Sequence, residues 1–160
     1  GSEMCIRDRT NTLNINGKDY TAKGSIAFVR EAKQFAEATE KDGVKTKGDG
    51  VTGIFLGLIQ QDPEKLSKFW YCAVSNLTKE KPSLIEVENA IEKYAEENGE
   101  IDSLFKDALN TLRNDGMVKG KVNNLIDTMY QNRKGKEKEL DMFDQMYKNV
   151  TGQNLFNKAE

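Results

Sequence analysis

The stretch Asp62–Leu77, DPEKLSKFWYCAVSNL, decides the fold class. Asp62-Pro63 is a helix start: a side-chain acceptor for the free amides of the first turn, then a ring whose fixed φ suits that turn. Leu66, Phe69, Trp70, Ala73, Val74 and Leu77 follow at i, +3, +4, +7, +8 and +11, which is the one-face repeat of an α-helix. A face this apolar has to be covered, and the flanking sequence supplies the covers.

Toward the N-terminus, Val51 to Gln60 is a short apolar run interrupted by Thr52, Gly53 and Gly57. It reads as a buried helix, too short to span a membrane. A glycine inside a helix costs about 1 kcal/mol relative to alanine. Close packing against another helix would account for both, and Gly53-x-x-x-Gly57 has the spacing for it. Residues 40–50, EKDGVKTKGDG, are expected to form a charged, glycine-rich loop. Before them Ser25 can cap a helix whose apolar stripe is Ile26, Val29, Ala32, Phe35 and Ala36. Farther out, Leu13–Ala22, LNINGKDYTA, alternates apolar and polar residues around Asn16-Gly17, the two-residue signal for a type I′ turn. Two short strands alone are marginal in water. This hairpin therefore lies on the helices or pairs with strands of another copy.

Toward the C-terminus, Ser83-Leu-Ile-Glu86 is a capping box opening a helix through Val87, Ile91, Tyr94 and Ala95, closed by Asn98-Gly99. Ile101, Leu104, Phe105, Ala108, Leu109 and Leu112 form the next stripe, closed by Gly116. Two weaker helices, Val122 to Tyr130 and Leu140 to Val150, flank a charged hinge, QNRKGKEKE at 131–139. No repeat is visible. The expected fold is mainly α with a small N-terminal β-hairpin. A compact helical domain is expected over 11–116, and a charged, partly helical extension over 117–160. Residues 1–10 read as a non-native, disordered start: Gly1-Ser2 as a cloning scar, Met4–Arg9 as translated adaptor sequence.

The bulk numbers fit one domain. A chain of 160 residues buries roughly 70% of its unfolded surface. Net charge is −2, so no strong field draws it to nucleic acid or anionic lipid, and neither is expected as a partner. Charge is uneven: 16 Lys/Arg against 20 Asp/Glu up to residue 116, then 8 against 6. Glu86, Glu88, Glu92, Glu96, Glu97, Glu100 and Asp102 face only Lys93 in their stretch. That is a solvated acidic face, or a docking face for a basic partner.

Catalytic chemistry is hard to build from these residues. There is no histidine, the commonest general base and metal ligand. Cys5 and Cys72 have no metal or disulfide spacing, and Cys72 sits in the apolar stripe as a core residue. Gly48-Asp-Gly50-Val-Thr-Gly53 matches G-x-G-x-x-G, yet a lysine-rich polar segment feeds it rather than a strand. Trp70-Tyr71 could stack on bases, but no basic stripe interleaves with them. No cofactor or metal is expected, and the chain reads as a protein-binding module rather than an enzyme.

The order of elements then resembles a known family. The hairpin NINGKDYTAK at 14–23 leads into SIAFVREAKQF at 25–35, then GVTGIFLGLIQQDPEKLSKFWYCAV at 50–74 and KPSLIEVENAIEKYAEENGEIDSLFKDALNTL at 81–112. Together these resemble the tail assembly chaperones of long, non-contractile-tailed phages and prophages of Gram-positive bacteria, over about residues 12–114. The polar segment 40–50 and the region 117–160 depart from that likeness. The resemblance implies a helper that coats the tape measure protein, keeps it soluble and helps recruit tail tube subunits. It implies action in the host bacterial cytoplasm, absence from the mature virion, and no catalysis. Self-association into a homo-oligomer is a natural geometry for coating a rod. Phe55, Leu58, Phe69 and Trp70 are the candidate contact residues, against the competing reading that all four are core. Another phage structural or adaptor protein, such as a head–tail joining factor, is the other reading left open.

Overall fold

The computed structural model describes residues 11–41 and 43–156; the expected non-native start, with Cys5, lies outside them. The chain runs β1 Thr12–Ile15, β2 Lys18–Thr21, α1 Ile26–Ala32, a 3₁₀ turn Lys33–Phe35, β3 Ala38–Lys41, β4 Val44–Lys47 and α2 Gly50–Ile59. It continues through α3 Pro63–Ala73, α4 Leu84–Asn98, α5 Asp102–Asn114, α6 Lys119–Gln131 and α7 Glu137–Thr151. It is a mainly helical protein with a small N-terminal hairpin, as expected.

The caps set the helix starts. Asp62 accepts the Glu64 amide, Asp49 the Val51 amide and Ser25 the Phe28 amide. At α4 the capping box is complete: the Ser83 hydroxyl accepts from Glu86 N–H while the Glu86 carboxylate accepts from Ser83 N–H. These bonds satisfy amides that a helix leaves free at its first turn.

Helix α2 is the hub. Seven of its ten residues are buried, and it touches α1, the 3₁₀ turn, α3, α5, α6 and α7. Its neighbours come close enough to explain two of its glycines. A Cβ on Gly50 would lie 1.8 Å from the Ala32 carbonyl oxygen, and one on Gly57 would lie 2.1 Å from Lys65 Cγ in α3. Gly53 has nothing within 4 Å, so the Gly53-x-x-x-Gly57 contact is made at one end only.

The hairpin β1–β2 pairs Leu13 with Tyr20 and Ile15 with Lys18 around Asn16 (φ 54°) and Gly17 (φ 85°), both left-handed as the turn requires. It covers the helical core. Leu13, Ile15, Tyr20 and Ala22 are buried, and β1 lies on α4.

Two expectations are corrected. Residues 40–50 are not a plain loop: Ala38–Lys41 and Val44–Lys47 form a second antiparallel hairpin, Ala38 paired with Lys47 and Thr39 with Thr46. Gly43, between the two strands, has φ 80°. In α1 the buried residues are Phe28 and Ala32, whereas Ile26 is 67% exposed. With only seven residues, α1 buries one narrow stripe, and Phe28 sets its phase.

The chain after residue 117 joins the same hydrophobic cluster. Val118, Val122, Ile126, Leu140, Tyr147, Leu155 and Phe156 are buried with the α2–α5 core. Both α6 and α7 lie against α2 and α5. Lys121 Nζ reaches Asp49, the cap of α2, at 3.0 Å.

Candidate protein-binding surfaces

Phe55 and Leu58 are fully buried, Phe69 is 1% exposed and Trp70 2%. An aromatic chain brings two of them, Phe69 and Trp70, together. Phe28 meets Phe69 edge-on at 5.5 Å between centroids, and Phe69 meets Trp70 at 5.9 Å and 88°. Phe55 lies 6.2 Å from Tyr147 of α7. Such pairs add about 0.5–1.5 kcal/mol beyond their buried area. Trp70 Nε1 is the one buried side-chain polar atom without a partner among the described residues. In this conformation the chain covers all four residues itself.

What the surface does present is different. Ile26, Ile85, Met117 and Met142 are large apolar side chains more than half exposed. Ile26 and Met117 each follow by two residues a partner of one tight contact, in which Gly24 N–H donates to Asp115 Oδ2 at 2.8 Å. A Cβ on Gly24 would meet Val118 Cγ2 at 2.7 Å. Periodicity flags Ile26 only as a core residue, so neither was legible as surface.

A second surface holds half-buried aromatics under cations. Phe35 and Tyr71 meet edge-on at 6.0 Å; Lys68 stands over Phe35 at 5.5 Å and Lys81 over Tyr71 at 5.2 Å. Lys81 also pairs with Glu31 at 3.9 Å.

The hairpin is pinned to the segment before α4. Tyr20 OH donates to the Glu80 carbonyl at 2.9 Å, Lys18 pairs with the Glu80 carboxylate, and Asn16 Nδ2 donates to Glu86. The hydrogen bond from Lys18 holds Glu80 below the usual carboxylate range, and that from Ser83 N–H does the same for Glu86. A cleft of about 330 Å³ remains here, lined by Ile15, Asn16, Lys18, Tyr20, Glu80 and Lys81 among others. It is open and mostly polar, unlike the apolar pockets that hold small ligands.

Of the acidic stretch, Glu86 to Glu97 fall on α4, while Glu100 and Asp102 lie beyond its end. Glu88, Glu92 and Glu96 stand four residues apart on its exposed side. None pairs with a described lysine or arginine.

Two ionisable groups, one buried and one half-buried, bear on possible chemistry. Burial pushes the Cys72 thiol up to about 12, so it carries no nucleophilic thiolate at neutral pH. Burial raises the Asp107 carboxyl to about 6, with Lys106 opposing. No group of three or more metal-ligating side chains converges among the described residues, and no described helix is long and apolar enough to cross a membrane.

A family model described as "Phage tail assembly chaperone protein, TAC" matches residues 12–127, from β1 into α6. No curated protein and no solved structure matches the chain.

Proposed function

We propose, from the premise that this chain belongs to the phage tail assembly chaperone family, that it binds the tape measure protein, keeps it soluble and helps tail tube subunits gather around it. The observation that carries the reading is the family match across both the N-terminal hairpin and helices α1–α5. It places the chain among proteins that assist tail assembly; the particular client is our inference.

The physics of the reading is simple. A tape measure helix has to display apolar surface before the tube encloses it, and each exposed apolar Å² costs about 25 cal/mol in water. Covering it must be reversible, so single contacts are weak and many copies along one client supply the avidity. The surface suits this. Isolated apolar side chains (Ile26, Ile85, Met117, Met142) stand among charged residues, with the Phe35–Tyr71 pair half covered by lysines. The acidic side of α4 keeps a coated complex in solution by like-charge repulsion. No bond is made or broken in this account. Assembly in the host cytoplasm and absence from the finished virion follow from the same role.

Phe55, Leu58, Phe69 and Trp70 contact a client only if a covering element moves aside. Among the surface residues, Ile26 and Met117 are the first to test. Purified chain should retain a tape measure fragment on an affinity column. Ile26→Ser with Met117→Ser should weaken retention several-fold while leaving the thermal midpoint within a few degrees. Equal retention by the double variant removes that surface from the account.

A further inference from the structure

We propose that the face of α2 and α5 covered by α7 is a groove for an amphipathic client helix, and that α7 with its Leu155–Phe156 tail is the built-in competitor for it. The client's identity rests on the chaperone reading above; the inference adds where it docks and what regulates docking.

The resident occupant shows what the groove accepts. Leu140, Phe143, Tyr147 and Val150 recur at i, +3, +7 and +10 along α7 and lie buried or half-buried against the core. Lys138, Gln145, Lys148 and Asn149 are exposed. That is the pattern of a helix-in-groove ligand. The central anchor is Tyr147, 1% exposed, its ring on Phe55. Arg113 of α5 supplies the polar rim, donating to Tyr147 OH at 3.2 Å with its guanidinium 5.6 Å from the ring centroid.

Asn132–Lys136, between α6 and α7, is exposed at every residue and includes Gly135 at φ 84°. At the other end the tail is hooked back by Asp144 Oδ1, which accepts from Leu155 N–H at 2.7 Å and from Phe156 N–H at 3.4 Å. The family match supplies the third observation. It includes both walls, α2 and α5, and ends at residue 127, before α7 begins. The surface belongs to the shared portion and its cover lies outside that portion.

A helix on a five-residue tether competes at an effective concentration in the millimolar range. Free client helices therefore displace it only when they bind in multiple copies or with high affinity. Release of the client is assisted as α7 returns.

The test uses the full chain and a fluorescein-labelled peptide of residues 137–156, read by anisotropy. Asp144→Ala and Leu140→Ser loosen α7 from opposite ends without altering α2 or α5. We expect the peptide to bind both variants at least tenfold more tightly than the unaltered chain, and a Tyr147→Ala peptide to lose that binding. Hydrogen exchange on the same samples should show α7 deprotected and α3 still protected, so that loss of fold is recognised. A variant with α7 open and α3 intact that takes up no peptide overturns the proposal, as does equal binding of the Tyr147→Ala peptide. Concentration-dependent dimers formed by exchange of α7 would assign the groove to a second copy and overturn the proposal. Because no tape measure protein enters this assay, its failure leaves the chaperone reading standing, and failure of tape measure capture leaves the groove standing.

Discussion

Helices α2 and α4 are opposite uses of the same element. Helix α2 is apolar on nearly every side and has six neighbours in the structure. Helix α4 buries only Val87, Ala90 and Ile91 and turns its glutamates outward. The first is where the fold is held together. The second is where the protein meets water. A chaperone needs both in one small body: a core firm enough to survive while its surface makes weak, exchangeable contacts.

The sharpest way to break the contrast is to hollow out α2. Phe55→Ala should cost about 3–5 kcal/mol, a large share of the 5–15 kcal/mol that holds a typical domain, and is read from the urea midpoint. Gly50→Ala should follow at about 1–3 kcal/mol, because its Cβ would meet the Ala32 backbone, which cannot rotate away. On α4 the comparable damage is smaller. Ser83→Ala removes one half of the capping box and should cost about 1 kcal/mol.

Helix α5 lies between these extremes, and pH sharpens its place. Asp107 titrates near 6 in the folded chain against an ordinary 3.8, because burial disfavours its charge. The folded state therefore holds its proton more tightly than the unfolded state, and stability falls as pH rises from about 4 to about 6. Asp107→Asn should remove that loss, stabilising the chain at pH 7 by about 1 kcal/mol after allowance for its half-exposed position and by nothing at pH 4. Urea titrations at both values check it. The smallest effect belongs to the outer side of α4. Glu88→Gln, Glu92→Gln and Glu96→Gln should each leave stability within about 0.5 kcal/mol. If any of them costs as much as Ser83→Ala, the division of labour between the two helices is wrong.

Much of this contrast was legible in the sequence, because it rests on periodicity and local bonds. The α3 stripe, the capping box at Ser83 and Glu86, and the type I′ signal at Asn16-Gly17 each depend on neighbours within a few residues. The second hairpin was missed because its strands, ATEK and VKTK, are charged and carry almost no apolar alternation; only the Asp42-Gly43 turn signal pointed to it. Phe28 was missed because a seven-residue helix offers too few turns to fix its phase. For the candidate contacts, an amphipathic stripe tells that Phe69 and Trp70 are covered, never by which chain. Tyr147 reaching back to Phe55 is a contact across ninety-two positions, and no local pattern encodes it.

The claim at the centre is that this protein shields apolar surface on a tape measure protein. Co-expressing the two in a bacterial host and measuring the soluble fraction of the tape measure protein addresses it most directly. We predict that most of that protein stays in the supernatant with the chaperone present and pellets without it. An equal soluble fraction in both cases would contradict the account.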